Sequence, residues 1–341
     1  MSTYRAFQVT GQRQFELVER EVVEPEQGHV RVQVLACGVC HSDFLGVEGI
    51  RPDPSQPIVP GHEIIGVVDA VGPQVTAWSV GERVGLGFLG GHCGECTQCR
   101  RGDFVNCLNQ PQPGTSEDGG YAEMVYARAS GLVRVPESMN PIEAAPLLCA
   151  GITTFNALRH ADAPPGAVVA IQGIGGLGHI GLQQAKQLGY RTVAIARGQD
   201  KAELATALGA DDYIDSAATD PGAALQELGG AAVIVATAAS GASMSPLLAG
   251  LAPRGRLVVV GAAPDPISVD TSDLIFGGRS IIGSLTGTPV ENEDNLAFSL
   301  SHGIKPMTEV MTLDDAPKAY ERMMSGAARF RIVLDIASVD A

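Results

Sequence analysis

A glycine-rich turn between an apolar run and a helical run constrains the fold of this chain more than any other feature. Residues 167–171 (AVVAI) predict a buried strand, residues 173–178 (GIGGLG) a tight turn, and residues 179–188 a helix. The G-x-G-x-x-G spacing is a weak signal alone, but in this order of strand, turn and helix it is specific. Its glycines let the backbone approach a pyrophosphate, which the helix N-terminus stabilises. The residues predicted to bind a dinucleotide are Gly173, Gly175, Gly176, Leu177 and Gly178.

The alternation of strands and helices continues through the middle of the chain. Further strands are predicted at residues 191–196, 213–215, 232–236 and 257–260, and further helices at residues 201–208 and 245–251. Such alternation implies a parallel, doubly wound sheet. Gly261, directly after the last of these strands, is also predicted to contact the dinucleotide.

The end of the second strand bears on which dinucleotide is bound. An NAD-binding unit usually has an acidic residue there, which accepts hydrogen bonds from the adenosine ribose. Here Ala196 stands at that place and Arg197 follows it. A small residue leaves room for a 2′-phosphate, and a guanidinium can bind that phosphate in a bidentate geometry, so NADP(H) is favoured. Lys201 is a second candidate for this phosphate; the alternative is NAD(H), with Arg197 solvated or only stacked on the adenine.

The chain before about residue 150 has a different character. Residues 29–36, 64–71 and 82–86 are short β-branched runs separated by turn residues, and helical periodicity is absent until about Pro141. This pattern is typical of an all-β, barrel-like unit. Near the other end, residues 292–302 and 313–324 predict helices, and residues 330–336 predict a final strand that can complete the N-terminal unit.

Four cysteines within fifteen residues indicate a closed metal site. Cys93, Cys96, Cys99 and Cys107 form a C-x2-C-x2-C-x7-C run. Four thiolates surround a tetrahedral zinc ion without leaving an open position, so the predicted site is structural. The alternatives are an assortment of buried thiols, or a zinc ribbon on DNA, which would need a basic surface that Arg100 and Arg101 alone do not supply.

Two short motifs bracketed by glycines supply the residue types of a catalytic zinc site. Residues 38–43 (GVCHSD) contain Cys40, His41 and Ser42, and residues 61–63 (GHE) contain His62 and Glu63. Zinc bound by two thiolates and one neutral histidine carries no net charge and keeps a position open for an alcohol. The second thiolate must come from elsewhere in the chain. The lone Cys149 lies in an apolar helical run, where a cysteine is usually a small core residue.

Composition excludes several classes of protein. A chain of 341 residues predicts two domains of ordinary size. Its formal net charge of −15 argues against a nucleic-acid partner. The sequence has no signal-peptide run and no apolar stretch long enough to span a membrane, so a cytoplasmic protein is expected. Seven cysteines, an odd number, favour metal ligands over disulfides there.

These motifs together resemble the zinc-dependent alcohol dehydrogenases of the medium-chain dehydrogenase/reductase superfamily. The resemblance rests on GVCHSD, GHE, the four-cysteine run, GIGGLG and residues 147–154 (LLCAGITT), and it extends over nearly the whole chain. It implies a GroES-like β-barrel catalytic domain of residues 1–150 and 286–341, and a Rossmann dinucleotide-binding domain of residues 151–285.

The resemblance also implies roles for individual residues. Cys149 becomes the third ligand of the catalytic zinc with Cys40 and His62. Glu63 lies beside the metal, where it either supports the ligands or serves as a transient ligand. Asp43 orients the ligating histidine. The other implied roles are proton transfer for Ser42, contact with the pyrophosphate for His41 and Arg331, and packing on the nicotinamide for Thr153.

One position departs from the family pattern. Many relatives carry a histidine three residues after the proton-relay hydroxyl, where this chain has Leu45. The proton is therefore expected to leave through Ser42, the nicotinamide ribose and either His41 or water.

The resulting expectation is reversible hydride transfer between NADP(H) and a primary or hydrophobic alcohol or aldehyde. Two zinc ions per chain, one catalytic and one structural, and a homotetramer or homodimer are expected with it. The alternatives are an NAD-dependent alcohol dehydrogenase of the same fold and a non-catalytic protein that binds zinc and nucleotide. The apolar residues near the site in sequence, which either line a substrate pocket or belong to the core, are Phe44, Leu45, Trp78, Phe88 and Leu89.

Overall fold

The computed structural model describes residues 2–337 of the chain and divides into two compact units. Unit 1 comprises Met1–Ile152, Thr286–Ser301 and Lys305–Ala341. Unit 2 comprises Thr153–Leu285 and His302–Ile304.

The first part of unit 1 is mostly β-structure. Its strands are β1 Thr3–Gly11, β2 Gln14–Glu21, β3 His29–Val39, β4 Glu63–Val71, β5 Arg83–Leu86, β6 Met124–Arg128 and β7 Leu132–Arg134. Its short helices are α1 Phe44–Val47 and α2 Pro141–Ala144, and α3 Ala150–Arg159 continues into unit 2. Along β3, buried valines alternate with more exposed residues, because successive side chains of a strand face opposite sides. The predicted all-β character of this part is confirmed, and the antiparallel β1–β2 hairpin is an addition.

Unit 2 is built on a parallel sheet. Its strands are β8 Val168–Gln172, β9 Arg191–Ala196, β10 Asp212–Asp215, β11 Ala231–Ala236, β12 Leu251–Val259 and β13 Ser280–Gly283. Its helices are α4 Gly178–Gln187, α5 Ala202–Ala207, α6 Pro221–Glu227, α7 Gly241–Met244 and α8 Thr271–Gly277. The strand order β10-β9-β8-β11-β12-β13, with parallel pairing throughout, is that of a dinucleotide-binding sheet. The predicted doubly wound fold is confirmed.

Local differences from the predicted elements have simple causes. The helix predicted at residues 245–251 is instead a 3-10 helix, Ser245–Gly250, with Pro246 at its start. Leu251 already belongs to β12, which runs for nine residues and so begins well before the predicted strand. The pair α8 and β13 was not predicted, because residues near 281 read as a mixed pattern.

The end of the chain returns to unit 1. Its elements are α9 Pro289–His302, β14 Thr308–Thr312, α10 Ala316–Met324 and β15 Arg331–Asp335. β15 pairs antiparallel with β3, and the resulting sheet has the order β14-β15-β3-β4-β5-β7, with β6 also paired to β3. α10 buries Ala316, Ala319 and Tyr320 on one face. The predicted final strand therefore does complete the sheet of the N-terminal part.

Within residues 2–337, no helix has both the length and the apolar character needed to cross a lipid bilayer.

Candidate active site

Strand register brings the two glycine-bracketed motifs together in unit 1. Cys40 directly follows β3, and Glu63 is the first residue of β4. In the β3–β4 ladder Gly38 is paired with Glu63, so the ends of the two motifs lie side by side. Gly38 is required there, since a Cβ at this position would lie 1.9 Å from Oε2 of Glu63.

Four side chains converge at this point. The ligand atoms of Cys40, His62, Glu63 and Cys149 all lie within 4.8 Å of one another. The two sulfur atoms are 3.8 Å apart, which matches the edge of about 3.8 Å expected for a tetrahedron with Zn–S bonds of ~2.3 Å. Nε2 of His62 is buried and makes no hydrogen bond to any residue that the structure describes. This donor set, with an unpaired buried nitrogen, is suited to a zinc ion.

Asp43 fixes the orientation of His62. Its Oδ1 lies 2.9 Å from Nδ1 of His62, while its Oδ2 accepts hydrogen bonds from the Cys40 backbone N–H at 2.9 Å and the Tyr121 hydroxyl at 2.8 Å. Burial opposes the charged imidazole, but the Asp43 carboxylate and the Cys40 thiol outweigh it and raise the pKa of His62. With Nδ1 held by Asp43, Nε2 is the nitrogen left to coordinate a metal. Sequence reasoning missed Tyr121, since no local pattern links it to residue 43.

Glu63 forms a buried ion pair with Arg331 of β15. The guanidinium Nη2 contacts Oε1 of Glu63, and the side chains are 5% and 0% exposed. Burial raises the pKa of Glu63 to about 7, although Arg331 opposes this shift. Oε2 of Glu63 has no hydrogen-bond partner among the described residues. The structure therefore gives Arg331 a contact at the metal-ligand cluster that sequence reasoning had not foreseen.

The thiols of Cys40 and Cys149 lie within hydrogen-bond distance of each other. Their mutual contact lowers the pKa of Cys40 well below its ordinary value and raises that of Cys149 well above it. One thiolate is therefore already favoured at this site, and metal binding would release the remaining proton.

Two asparagines hold the segment that presents Cys149. Asn292 donates from Nδ2 to the Leu148 carbonyl at 3.2 Å, and Asn295 donates from Nδ2 to the Leu147 carbonyl at 3.0 Å. Both asparagines are buried on α9. They were missed from the sequence, although polar residues three apart on the apolar side of a helix are a signal that could have found them.

Ser42 and His41 lie in a 3-10 helix, His41–Asp43, between β3 and α1. Ser42 is half-buried and His41 is exposed, with its ring centroid 5.7 Å from that of Phe44. Leu45 is also half-buried.

The apolar candidates separate into site neighbours and core. Phe88 packs edge-on against His62 with centroids 5.2 Å apart. Trp78 is 6% exposed, belongs to the main core of unit 1 and donates its indole N–H to the Ala129 carbonyl. Trp78 is therefore a core residue, whereas Phe88 borders the cluster.

The four-cysteine run forms a second cluster in unit 1. The ligand atoms of Cys93, Cys96, Cys99 and Cys107 lie within 4.8 Å of one another, with sulfur separations of 3.7 to 4.0 Å. These distances exceed a disulfide bond of about 2.05 Å and fit a tetrahedral thiolate site. Backbone N–H groups of Cys99 and Leu108 donate to Cys96 and lower its pKa to about 6. These backbone contacts favour the thiolate of Cys96, whereas burial and the neighbouring cysteines raise the pKa of Cys99 to about 12.

In unit 2 the glycine-rich turn lies between β8 and α4. Gly173 has φ +92° and donates its N–H to the Ile195 carbonyl at 2.8 Å. A Cβ at Gly178 would lie 1.7 Å from the Gly173 carbonyl oxygen, whereas a Cβ at Gly175 would meet nothing within 4 Å. The turn is therefore tight on its inner side and open at Gly175, as a pyrophosphate at the start of α4 requires.

The other residues of unit 2 that are predicted to contact the dinucleotide differ in exposure and in hydrogen bonding. Arg197 is exposed, directly after β9. Lys201 donates its ammonium to the Ile174 carbonyl of the glycine-rich turn at 2.9 Å. Gly261 donates its N–H to the Ala236 carbonyl at 3.0 Å, and Thr153 is 7% exposed.

Comparison with known proteins gives consistent matches. The families described as "Alcohol dehydrogenase GroES-like domain" and "Zinc-binding dehydrogenase" match residues 26–137 and 176–301. Alcohol dehydrogenase patD of Penicillium expansum is 44% identical over 318 residues, 93% of each chain. An alcohol dehydrogenase of Geobacillus stearothermophilus is 40% identical over 321 residues, 93% of this chain and 95% of that one. The structure of a cinnamyl alcohol dehydrogenase from Sorghum bicolor, 30% identical, has a TM-score of 0.87 and covers 98% of both chains.

Proposed function

Since the chain belongs to the zinc-type alcohol dehydrogenases of the medium-chain dehydrogenase/reductase superfamily, we propose that it is an NADP(H)-dependent enzyme acting on primary or hydrophobic alcohols and aldehydes. The observation that carries this proposal is the meeting of Cys40, His62 and Cys149 within 4.8 Å in unit 1, with Ser42 two residues beyond Cys40. A protein that only bound zinc and nucleotide would have no need of an open zinc position beside a hydroxyl.

Residue roles at the metal centres follow from the donor sets. Cys40, His62 and Cys149 would hold the catalytic zinc, and Glu63, which is paired with Arg331, would be an alternative ligand. Cys93, Cys96, Cys99 and Cys107 hold the structural zinc. When bound, the catalytic zinc polarises the substrate oxygen and the nicotinamide donates or accepts the hydride.

The chain's own residues manage the proton. Ser42 accepts the proton of the alcohol at Oγ during oxidation and returns it to the oxygen during reduction. The proton then leaves Ser42 through the nicotinamide ribose and either the exposed His41 or water, because Leu45 offers no titratable group. Phe88, packed on His62, keeps an apolar wall beside the reacting oxygen.

The cofactor preference rests on the end of β9 in unit 2. Ala196 has no carboxylate to receive the adenosine ribose hydroxyls, and Arg197 is exposed directly after it. A 2′-phosphate of NADP(H) would pair with this guanidinium. Gly173, Gly175, Gly176, Leu177 and Gly178 bind the pyrophosphate, with Thr153, Lys201, Gly261 and Arg331 as further cofactor contacts.

The test is a panel of aldehydes and alcohols assayed with NADPH and NADH, with zinc counted per chain. Two zinc ions per chain and a higher kcat/KM with NADPH are expected. A higher kcat/KM with NADH would make the enzyme an NAD-dependent alcohol dehydrogenase, and absence of turnover with both would refute the enzymatic proposal. Arg197→Ala should weaken NADPH binding about 10- to 100-fold. Arg191→Ala, at the opposite end of β9, is the matched control.

The domain assignment and the setting of the enzyme belong to the same proposal. Residues 1–150 and 286–341 form the catalytic domain, and residues 151–285 the dinucleotide-binding domain. A cytoplasmic location is proposed because all seven cysteines are free thiols in the structure, and the cytoplasm keeps thiols reduced. A homodimer or homotetramer is proposed because α8 exposes Ile275 and Phe276, at 72% and 89%, next to the edge strand β13.

A further inference from the structure

The loop that joins β9 to α5 (residues 197–201) is held at Gly198 from two sides. The Gly198 N–H donates to Oδ1 of Asp215 at 2.7 Å. The hydroxyl of Tyr213 donates to the Gly198 carbonyl at 2.5 Å. The backbone N–H and the carbonyl of Gly198 are thus both hydrogen-bonded to side chains of β10. We call this arrangement of Tyr213, Asp215 and Gly198 the Gly198 clamp.

The placement of the clamp follows from the sheet. β10 runs parallel to β9, with Tyr213 opposite Ala194 and Asp215 opposite Ala196. Residues two apart in a strand point to the same face, so both side chains reach over the loop that leaves β9. Gly198 has φ +77°, a conformation that favours glycine and gives the loop its sharp turn.

Asp215 is fully engaged in loop geometry. Besides Gly198 it accepts the Ala217 N–H at 2.9 Å and the side-chain amide of Gln199 at 3.3 Å. The far end of the loop is tied to the glycine-rich turn, because Lys201 donates to the Ile174 carbonyl at 2.9 Å. Lys201 therefore acts as a brace between the two segments that border the dinucleotide site.

Arg197 lies between two fixed points. The carbonyl of Ala196 accepts the Ser216 N–H at 2.9 Å, and Gly198 is held by the clamp. Arg197 itself makes no hydrogen bond or ion pair with the residues that the structure describes. Its backbone is therefore held in place while its guanidinium has no competing partner, which is the condition for preorganised binding of an anion.

We propose that Tyr213 and Asp215 are positioning residues for cofactor selectivity, and that they act by holding Gly198 so that Arg197 meets the 2′-phosphate of NADP(H). This inference rests on the proposed function, in which Arg197 binds that phosphate. Neither side chain is proposed to touch the cofactor. Loss of the clamp should weaken the binding of NADPH but not that of NADH, since NADH lacks the phosphate that Arg197 binds.

The test measures dissociation constants of NADPH and NADH for the zinc-loaded protein. Tyr213→Phe and Asp215→Ala should each raise the dissociation constant of NADPH about three- to tenfold, as expected for loss of a hydrogen bond, with that of NADH nearly unchanged. Asp215→Asn retains an acceptor for Gly198 and should stay near the native values. Controls at the other end of the sheet are Tyr190→Phe and Asp212→Asn, which should change neither constant. Tyr213→Phe removes only a hydroxyl and keeps the test usable if Asp215→Ala does not fold.

A second arm repeats Tyr213→Phe in an Arg197→Ala background. The selective effect should vanish there, because the clamp acts only through Arg197. Equal weakening of both cofactors would overturn the proposal, as would persistence of the effect without Arg197. Tighter NADPH binding by Asp215→Asn would also overturn it, since the carboxylate would then be repelling the phosphate. The Gly198 clamp is decided by the change that Tyr213→Phe makes in the ratio of the two dissociation constants, whichever cofactor the native protein prefers. Native preference for NADH would refute only the proposed cofactor.

Discussion

Asp43 shows how one buried carboxylate can organise a site through contacts with three neighbouring groups. Its two oxygens contact the His62 ring, the Cys40 backbone and the Tyr121 hydroxyl. All four residues are buried, so each contact is shielded from competing water. The orientation of a metal-binding histidine therefore depends on a residue that itself stays off the metal.

Asp43→Asn should weaken zinc binding at the Cys40 cluster by about 10- to 100-fold, because the amide no longer favours Nδ1–H of His62. Competition with a chromogenic chelator measures this affinity. Asp69→Asn, which alters a surface ion pair with Arg31 in the same unit, is the matched control. Unchanged affinity in Asp43→Asn would mean that the charge of Asp43 is not what orients the His62 ring.

Ser42→Ala should lower kcat by about 10²- to 10⁴-fold while leaving the zinc content unchanged, because only proton transfer is lost. Steady-state kinetics measures the change in kcat, and metal analysis of the same preparation measures the zinc content. Ser42→Thr retains a hydroxyl and should recover much of the rate. Full activity in Ser42→Ala would show that another group takes the proton.

At the scale of elements, we expect the four-cysteine loop to depend on metal more than on packing. Its sulfurs accept backbone N–H groups, and Leu108 within it is 69% exposed. A loop with so little buried apolar surface gains its order from coordination.

Cys96→Ser should therefore remove one of the two expected zinc ions and make the loop sensitive to protease, with the other ion retained. Zinc analysis and limited proteolysis report the two effects. Cys37→Ala changes a buried thiol outside both clusters and should keep both ions. An intact, protease-resistant loop without its zinc would contradict the metal-dependent account.

Near the end of unit 1, an ion pair joins β14 to α10, and we expect its contribution to stability to depend on pH. Glu309 of β14 accepts hydrogen bonds from Arg322 of α10 and from the Arg329 N–H. The Arg322 contact holds the pKa of Glu309 below its ordinary value of 4.5. Because the pKa of Glu309 is lower in the folded than in the unfolded protein, the ionised carboxylate stabilises the fold above about pH 4.5. This stability is lost as the pH falls through the pKa of the folded state.

Glu309→Gln should thus lower the melting temperature by about 1–3 °C at pH 7, with the difference fading below pH 4.5 as the native carboxylate protonates. Thermal melts across this pH range provide the measurement. Glu137→Gln, on a side chain that is 80% exposed, should show no such pH-dependent difference. A constant difference at all pH values would assign the effect to packing.

At the scale of the whole molecule, the proposed assembly depends on the β13 edge of unit 2. Phe276→Glu should shift the protein toward smaller species in analytical ultracentrifugation, because a charge on this surface opposes its burial between copies. Val80→Glu, at a valine of unit 1 that is 64% exposed, is the control and should leave the sedimentation unchanged. A monomeric native protein would refute the proposed oligomer.

Much of this molecule could be predicted because its signals are local. The glycine-rich turn and its flanking strand and helix occupy adjacent residues, and the parallel sheet followed from repeating that unit. The four cysteines of the loop are also close in sequence, so their clustering needs only a compact turn. Most helix and strand ends differ from the predictions by a few residues, but β12 begins well before its predicted start and the helix predicted at 245–251 is a 3-10 helix.

Other features depend on contacts that no short stretch encodes. Cys40 meets Cys149 across 109 residues, Tyr121 meets Asp43 across 78, and Arg331 meets Glu63 across 268. For Cys149 only the family resemblance, and not its local pattern, predicted the meeting. By itself the sequence determined the chemistry available and the local units that carry it, because spacing along the chain fixes which groups can share a turn. Only the tertiary structure decided which distant residues complete the cluster and which hold it, since strand register and buried hydrogen bonds set those distances.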